Sequence, residues 1–333
     1  MPIRRVPLGL SMGELFEVPS CDKCRNPAIL HQIYSGRSMC GAHLADSVRK
    51  KASKALRQQL QIPKGKHTTI LVAISGGKDS AVLLERIHEN LSKRRDVTIV
   101  AGCVDEGIEG YRPPSLECAR ELAESLGVRF ETVSYPELGF KEMDQVVTKM
   151  AEIKDRKAPC SYCGVFRRQG INHLAERVGA DVIALGHNLD DMAQTIMMNM
   201  QNGDIERTLR LAPHTSTPLA GMAPRIVPLR WIPEQEIHLY ALHKNLPIHH
   251  EECPHGDGAL RFRHRETIAM MEADVPGTRH GLLRMADDLK KLHASAGGTF
   301  NTIEPINCPE CGQICSGSLC KACEMKKAIM DED

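Results

Sequence analysis

Apolar residues in the middle of the chain come in short continuous runs separated by amphipathic stretches. Thr68–Ile74 (TTILVAI) is such a run and predicts a buried β-strand. A Gly-rich turn follows, Ser75-Gly76-Gly77-Lys78-Asp79, and then a helical pattern over Ser80–Ser92 with Val82, Leu83 and Leu84 near its start. Val97–Val104 (VTIVAGCV), Arg129–Ser134 and Asp181–Leu185 (DVIAL) predict three further strands. Helices are predicted over Pro114–Leu126, where Gly127 supplies a stop, over Cys163–Val178 and over Leu189–Met200. Strands that are apolar throughout and alternate with helices imply an α/β fold, a doubly wound parallel sheet covered on both faces. Ligands of such sheets sit beyond the carboxyl ends of the strands. The turns after Ile74, Val104 and Leu185 all fall there.

The 333 residues suffice for one large core or two domains, and three blocks differ in composition. Residues 1–45 are punctuated by Gly and Pro and carry paired metal-ligand spacings. Residues 46–295 hold the strand and helix alternation. Residues 296–333 open on Ala296-Gly297-Gly298 and contain five cysteines. Hydrophobic content of 42% with 26% charged residues fits a soluble globular protein. Aromatics at 4% argue against a stacking platform for nucleic acid. With 43 basic and 42 acidic residues the net charge is +1, so a nucleic-acid partner needs local patches. Two exist: Arg49-Lys50-Lys51 with Lys54 and Arg57, and Arg261-Phe262-Arg263-His264-Arg265. Each reads first as a solvated helix face and second as a phosphate contact. No apolar run is long enough to cross a bilayer. The opening MPIRRVPLGLSMGELFEVPS lacks the apolar core and cleavage site of a signal peptide, so a cytoplasmic location is expected.

Ser75-Gly76-Gly77-Lys78-Asp79-Ser80 lies directly after a buried strand and opens a helix. Two glycines let the backbone turn sharply and approach an anion. Successive N–H groups at a helix N-terminus then form an anion nest, with serine hydroxyls and Lys78 as further donors. The string is not a Walker A loop. Gly186-His187-Asn188-Leu189-Asp190-Asp191 occupies the same edge after the last strand. Helix capping by Asn188 and the two aspartates explains these residue types as readily as a ligand site does.

Thirteen cysteines in a chain read as cytosolic point to metal rather than disulfides. Cys21-x2-Cys24 with Cys40-x2-His43 has the spacing of a zinc knuckle, and Cys308-x2-Cys311 with Cys320-x2-Cys323 that of a four-thiolate zinc ribbon. Cys315 lies between the latter pairs without a partner of its own. Cys160-x2-Cys163 at a helix start, with Cys253 far along the chain, gives three ligands and leaves a fourth position open. A three-thiolate iron–sulfur cluster is the sharper reading; a redox pair or half a zinc site is the alternative. Cys103 and Cys118 read as apolar fillers.

SGGKDS is similar to the pyrophosphate loop of N-type ATP pyrophosphatases, and GHNLDD to the second signature of tRNA thiolation enzymes of the TtcA and TtuA kind. PCSYCGVFRR, together with these strings, Cys253 and both knuckles, resembles the TtuA family of tRNA 2-thiouridine synthetases, a family related to the cytosolic wobble-uridine thiolases. The resemblance covers nearly the whole chain. EADVPGTRHGLL, which follows a basic helix expected over Ala259–Met271, looks more like the branch that thiolates the T-loop uridine.

The resemblance implies an N-type ATP pyrophosphatase fold with flanking zinc modules. It implies ATP held by Ala73, Ser75, Gly76, Gly77, Lys78, Asp79, Ser80, Asp105, Gly186 and His187, with Mg2+ near Asp79 and Asp191. It implies that O2 of the target uridine attacks the α-phosphorus of ATP and that sulfur, carried at a 4Fe-4S cluster on Cys160, Cys163 and Cys253, then displaces AMP at C2. Asp191, Arg167, Cys160 and Cys253 are the implied catalytic residues. Arg167 stands where many relatives have lysine, and it keeps the charge while being a poorer proton donor. The implied partners are tRNA, a ubiquitin-like thiocarboxylate carrier or a sulfide source, and a second copy of the chain. Three competing readings are a cluster-free persulfide mechanism on Cys160 and Cys253, an amidating ligase, and a zinc-ribbon RNA-binding protein without catalysis.

Overall fold

The computed structural model describes residues 18–150, 158–214, 221–256, 260–298 and 305–330. A hairpin of β1 (Leu30–Gln32) and β2 (Arg37–Met39) leads into helix α1 (Gly41–Gln59). The central α/β unit follows: β3 (Thr68–Ile74), α2 (Lys78–Leu91), β4 (Val97–Asp105), α3 (Arg112–Ser125), β5 (Arg129–Ser134), α4 (Met143–Met150), α5 (Pro159–Arg177), β6 (Val182–Ala184), α6 (Leu189–Gln201), α7 (Ile205–Leu209), β7 (Arg225–Ile226) and α8 (Glu234–His243). Two helices, α9 (Leu260–Asp274) and α10 (Thr278–Ser295), precede a small hairpin of β8 (Ile306–Asn307) and β9 (Ile314–Cys315) and the last helix α11 (Lys321–Met330).

Among the described residues five strands form one parallel sheet in the order β5-β4-β3-β6-β7. The chain runs outward from β3 to β5, then returns to lay β6 on the other side of β3. The order therefore reverses between β3 and β6, which opens a crevice beyond their carboxyl ends. Strand alternation feeds two separate cores. Ile70, Val72, Ile74, Ala101, Cys103, Val182 and Ala184 face one core with side chains of α1, α2, α3 and α8. Leu71, Val100, Val104 and Ile183 face the other with α4, α5 and α11. Both sheet faces are thus covered, as continuous apolar strands require.

Boundaries differ from the sequence expectation at helix starts. Helix α5 begins at Pro159 rather than Cys163, so Cys160 and Cys163 both lie in its first turn. Proline suits the first helical position because the missing N–H has no intrahelical acceptor there. Likewise α3 begins at Arg112, before its two prolines, and α2 at Lys78. The basic helix runs Leu260–Asp274; Ala259 and the N-terminal residues 1–17 lie outside the described residues. Helix α1 starts before the expected boundary at residue 45 and buries Leu44 and Val48 in the main core. The C-terminal block packs on the opposite face, with Ala322, Met325 and Ile329 in the same core as Phe166 and Leu174 of α5.

The turn after β3 is fitted closely against α3. Gly76 has φ +84°, and a Cβ there would lie 1.8 Å from the Ser115 carbonyl oxygen. Gly76→Ala is expected to cost at least about 2 kcal/mol in a urea melt, from the left-handed backbone and the clash together, and to weaken ATP binding in the same protein.

Candidate active site

The anion loop is built from its own short hydrogen bonds. The Ser75 N–H donates to Ser80 Oγ at 3.0 Å, and Ser80 Oγ donates to the Gly77 carbonyl at 2.9 Å. Gly77 is the N-cap of α2, so Lys78, Asp79 and Ser80 form the first helical turn. Their backbone N–H groups have no intrahelical acceptor and remain available to an anion. Lys78 Nζ bonds Asp79 at 3.0 Å and Glu234 at 2.8 Å. Burial would lower the Lys78 ammonium, but the two carboxylates outweigh it and raise its pKa. Burial raises the Asp79 carboxyl, and nearby Asp191 adds to the rise against the pull of Lys78 and Asn188. Two acids close enough to repel form a natural seat for a cation.

The loop after β6 meets the first one at the switch point. Asn188 Nδ2 donates to Asp79 Oδ1 at 2.9 Å, and a Cβ on Gly186 would lie only 3.2 Å from the Asp79 backbone. Asn188 also caps α6 in a capping box whose other member is Asp191. Capping and site roles therefore coexist in Asp191: one oxygen accepts from the Asn188 N–H at 3.2 Å, the other from Arg261 at 2.9 Å. His187 is exposed beside this loop. Asp105 ends β4 and accepts from the Gly107 N–H at 3.0 Å, while Ala73 pairs in register with Gly102.

Arg261 and Arg265, one turn apart on α9, stay about half exposed while reaching carboxylates of the crevice rim. Arg265 reaches Glu234 at 3.3 Å, the carboxylate that also holds Lys78. Arg279, in the EADVPGTRHGLL stretch that turns α9 into α10, pairs with Asp190 at 2.7 Å. Arg168 lies near Arg207, and partial desolvation of its guanidinium together with that charge lowers its pKa.

The three cysteines converge beside this crevice. Cys160 and Cys163 are three residues apart on one face of α5, at a helix N-terminus that favours thiolates. Cys160 Sγ lies 3.9 Å from the carbonyl of His255, within the turn that Cys253 begins. That turn is anchored by His255 Nε2 to Asp144 at 2.5 Å. Partial burial raises the Cys160 and Cys253 thiols, and the charge of Cys163 adds to both. Tyr135 Oη donates to the Cys163 carbonyl at 3.1 Å. Cys103 is wholly buried against Arg112, and Cys118 sits half-buried on α3, so neither joins the trio.

Two links bring this trio to the anion loop. The His249 N–H donates to the Gly76 carbonyl at 2.9 Å, and Cys253 is four residues further on, at most about 14 Å of extended chain. On the other side Arg167, one turn after Cys163, has Nη2 at 3.5 Å from Cys163 Sγ and pairs with buried Glu106 at 2.7 Å. Sequence reasoning missed Glu106, Arg112, His249 and Glu234. The only local sign was the place of Glu106 immediately after Asp105, at the carboxyl end of a strand.

Among the described residues two Cys/His groups, both apart from the thiol trio, have metal-ligand geometry. Cys21, Cys24, Cys40 and His43 form one and Cys308, Cys311, Cys320 and Cys323 the other, each with ligand atoms within 4.8 Å of one another. Desolvation would raise Cys21, but N–H groups of Cys40, Lys23 and Cys24 and the His43 ring pull it down to about 6. The same opposition brings Cys308 to about 6 through Cys320, Cys311 and Glu310. Their neighbours Cys24, Cys311 and Cys323 are raised instead, Cys311 to about 11 mainly by burial, and four ligands gathered this closely fit a soft cation. Cys315 stays outside the quartet and donates to the Gly317 carbonyl at 3.2 Å. The second quartet is fastened to α5 by Gln169 to Cys311 at 3.3 Å and Gln313 to Glu176 at 2.5 Å.

The PP-loop domain family matches residues 46–269. A protein named tRNA 2-thiolation protein NcsA, from Haloferax volcanii, is 35% identical over 322 residues, covering 93% of this chain and 98% of that protein. Cytoplasmic tRNA 2-thiolation protein 1 of Mus musculus is 33% identical over 309 residues, 92% of this chain and 72% of its own. Among solved structures, the U34-tRNA thiolase NcsA from Methanococcus maripaludis with its 4Fe-4S cluster superposes with a TM-score of 0.76 at 29% identity, covering 93% of this chain and 96% of that one.

Lys78→Met removes the cation that two carboxylates hold at the mouth of the anion loop. Calorimetry is expected to give roughly tenfold weaker ATP binding, the loss of one charge-assisted contact.

Proposed function

Because this chain belongs to the PP-loop family and is similar over nearly its whole length to tRNA 2-thiolation proteins, we propose that it is an ATP-dependent tRNA 2-thiouridine synthetase. The observation that carries the reading is the meeting of an anion-binding helix start with three thiols at one sheet edge. The Gly76–His249 hydrogen bond and the Arg167 contact to Cys163 span the two halves.

The N–H groups at the start of α2 and the Lys78 ammonium bind the phosphates of ATP and orient the α-phosphorus. O2 of the uridine attacks that phosphorus and pyrophosphate leaves, so the base carries an O-adenylate at C2. A sulfide equivalent then adds to C2; the carbon–sulfur bond forms, the carbon–oxygen bond breaks and AMP departs. Arg167 faces the charge that gathers beside Cys163 during this displacement. Asp191, held between Asn188 and Arg261, sits at the α6 terminus where it can accept a proton or help Asp79 hold Mg2+. Cys160, Cys163 and Cys253 would hold a 4Fe-4S cluster by three thiolates, and that group would supply a Lewis-acidic iron able to bind sulfide. The two Cys/His quartets hold Zn2+ in this reading, each with four protein ligands and no open position, which suits a structural role.

Under this reading the substrate is tRNA, the sulfur comes from a ubiquitin-like thiocarboxylate carrier or from sulfide, and the working unit is a homodimer. Its location is cytoplasmic, in keeping with the name of the mouse relative. No helix of the described residues is long and apolar enough to cross a membrane. The T-loop uridine is the target favoured by the stretch Glu272–Leu283. The similarity to a U34-tRNA thiolase favours position 34 as the second reading.

Mass spectrometry of tRNA nucleosides from cells with and without the protein tests the reaction. Loss of 2-thiouridine is expected; an unchanged content would sink the proposal, and mapping the lost nucleoside separates T loop from anticodon. Asp191→Ala is expected to abolish thiolation with ATP binding largely kept, and to lower stability by about 1 kcal/mol through the lost cap contact. Elemental analysis separates the metal centres. Cys163→Ser should lose iron and activity but keep zinc, whereas Cys311→Ser should lose about half the zinc and melt at lower temperature.

A further inference from the structure

A continuous run of short polar contacts joins the nucleotide loop to the thiol site, and two of its members have no part in the reaction as described. Arg112 opens α3 and is 3% exposed. Its Nη1 donates to the Ser75 carbonyl at 2.9 Å and to Ser115 Oγ at 3.1 Å. Its Nη2 donates to the Val104 carbonyl and to Cys103 Sγ. Its Nε lies 2.8 Å from one oxygen of Glu106. Glu106 is 1% exposed and turns its second oxygen to Arg167 Nε at 2.7 Å. The outer end of the Arg167 guanidinium is the end that faces Cys163.

The Glu106 side chain is buried in a place that must serve something, because a buried carboxylate is costly unless it is fully paired. Its two arginines differ. Arg112 is locked by four other acceptors and cannot move without unfastening the loop, β4 and α3 together. Arg167 has a side chain 44% exposed, and among the described residues Glu106 is the only carboxylate paired with it. Without that carboxylate its long side chain has open solvent to turn into. The main chain of Glu106 is itself held, its carbonyl accepting from the Met143 N–H at 2.8 Å.

We infer that Glu106 is a positioning residue for the thiolation reaction: it pins Arg167 over Cys163 and, through Arg112, keeps that guanidinium in register with the Ser75 end of the phosphate loop. The inference rests on the tRNA thiolation reading. Glu106 touches neither nucleotide nor sulfur; it acts by allowing Arg167 one orientation, so that the charge beside the thiols and the donors around the phosphates share one rigid frame. A shift of this kind, far from any covalent step, is known to cost about 10²-fold in rate when it moves a reacting group by an ångström.

The test compares Glu106→Met, Arg167→Gln, Arg167→Lys and the double Glu106→Met/Arg167→Gln variant, as full-length protein prepared anaerobically with its iron–sulfur centre reconstituted. Glu106→Met keeps the side-chain volume and removes both oxygens. It is expected to keep its iron, and to keep ATP affinity and KM for ATP within about twofold, while kcat for tRNA thiolation falls about 10- to 100-fold. Arg167→Gln should fall by a comparable factor, Arg167→Lys should recover part of it, and the double variant should be no slower than Arg167→Gln alone. The midpoint potential of the centre gives a readout that needs no tRNA. Removing the Arg167 cation lowers it; Glu106→Met removes an anion, which raises it, and frees the guanidinium, which lowers it, so its shift in the wild-type background should be more negative than its shift in the Arg167→Gln background. The same potential shift from Glu106→Met in both backgrounds, a wild-type kcat, or full additivity of the two substitutions in kcat would overturn the positioning role. If Glu106→Met does not fold, Glu106→Gln carries the same expectations at smaller size. Failure of the wild-type protein to thiolate tRNA would refute the reaction instead, and the potentials would still decide the contact.

Discussion

The hydrogen bond from the His249 N–H to the Gly76 carbonyl, 2.9 Å long, sets the geometry on which the site depends. Gly76 can offer that carbonyl only because its backbone is left-handed and bare of a Cβ, which would otherwise strike the Ser115 carbonyl. The bond draws the segment that ends in Cys253 to the edge of the nucleotide loop. On the far side of the crevice, Cys160 reaches into the same turn at His255. Nucleotide activation and sulfur delivery are thereby held a few residues of chain apart. That closeness is the requirement of a reaction in which an adenylated carbon must meet sulfur before water does.

The sheet explains why the meeting happens at this edge. Placement of β6 beside β3, away from β4 and β5, reverses the winding and leaves the two following loops facing each other. Those loops are then bonded directly, Asn188 to Asp79. Carboxylates and cations alternate around the rim: Lys78 with Asp79 and Glu234, Arg261 with Asp191, Arg279 with Asp190. Each is moderately exposed, so each pair contributes little to stability by itself. Their consequence is local order, with cations held beside the anion loop by carboxylates that an incoming anion can replace.

The terminal modules serve the same frame from outside. The C-terminal quartet is bonded to the helix that carries Cys160 and Cys163, and its last helix shares a core with that helix. The N-terminal hairpin is tied through Gln32, Tyr34 and Lys51 to Glu236 at the start of α8, next to the Lys78–Glu234 pair. Neither module behaves as a tethered bead. Each packs on one wall of the crevice and adds rigidity there.

Much of this was legible along the chain because the groups involved are neighbours in it. SGGKDS after an apolar strand, Asn188 three residues before Asp191, and Cys-x2-Cys pairs within short segments carry their geometry in their spacing. The helical start of Cys160-x2-Cys163 was misjudged by four residues, since proline at a first helical position resembles a break when read in one dimension. Arg261 and Arg265 have the spacing of a solvated face and remain exposed, and only the placement of α9 beside α6 showed that they also meet Asp191 and Glu234. The pairing of Glu106 with Arg167 and the reach of His249 to Gly76 came from the tertiary structure alone. These contacts link positions far apart in sequence, and what brings them together is the reversal of strand order, a property of the whole sheet that no local run of residues encodes.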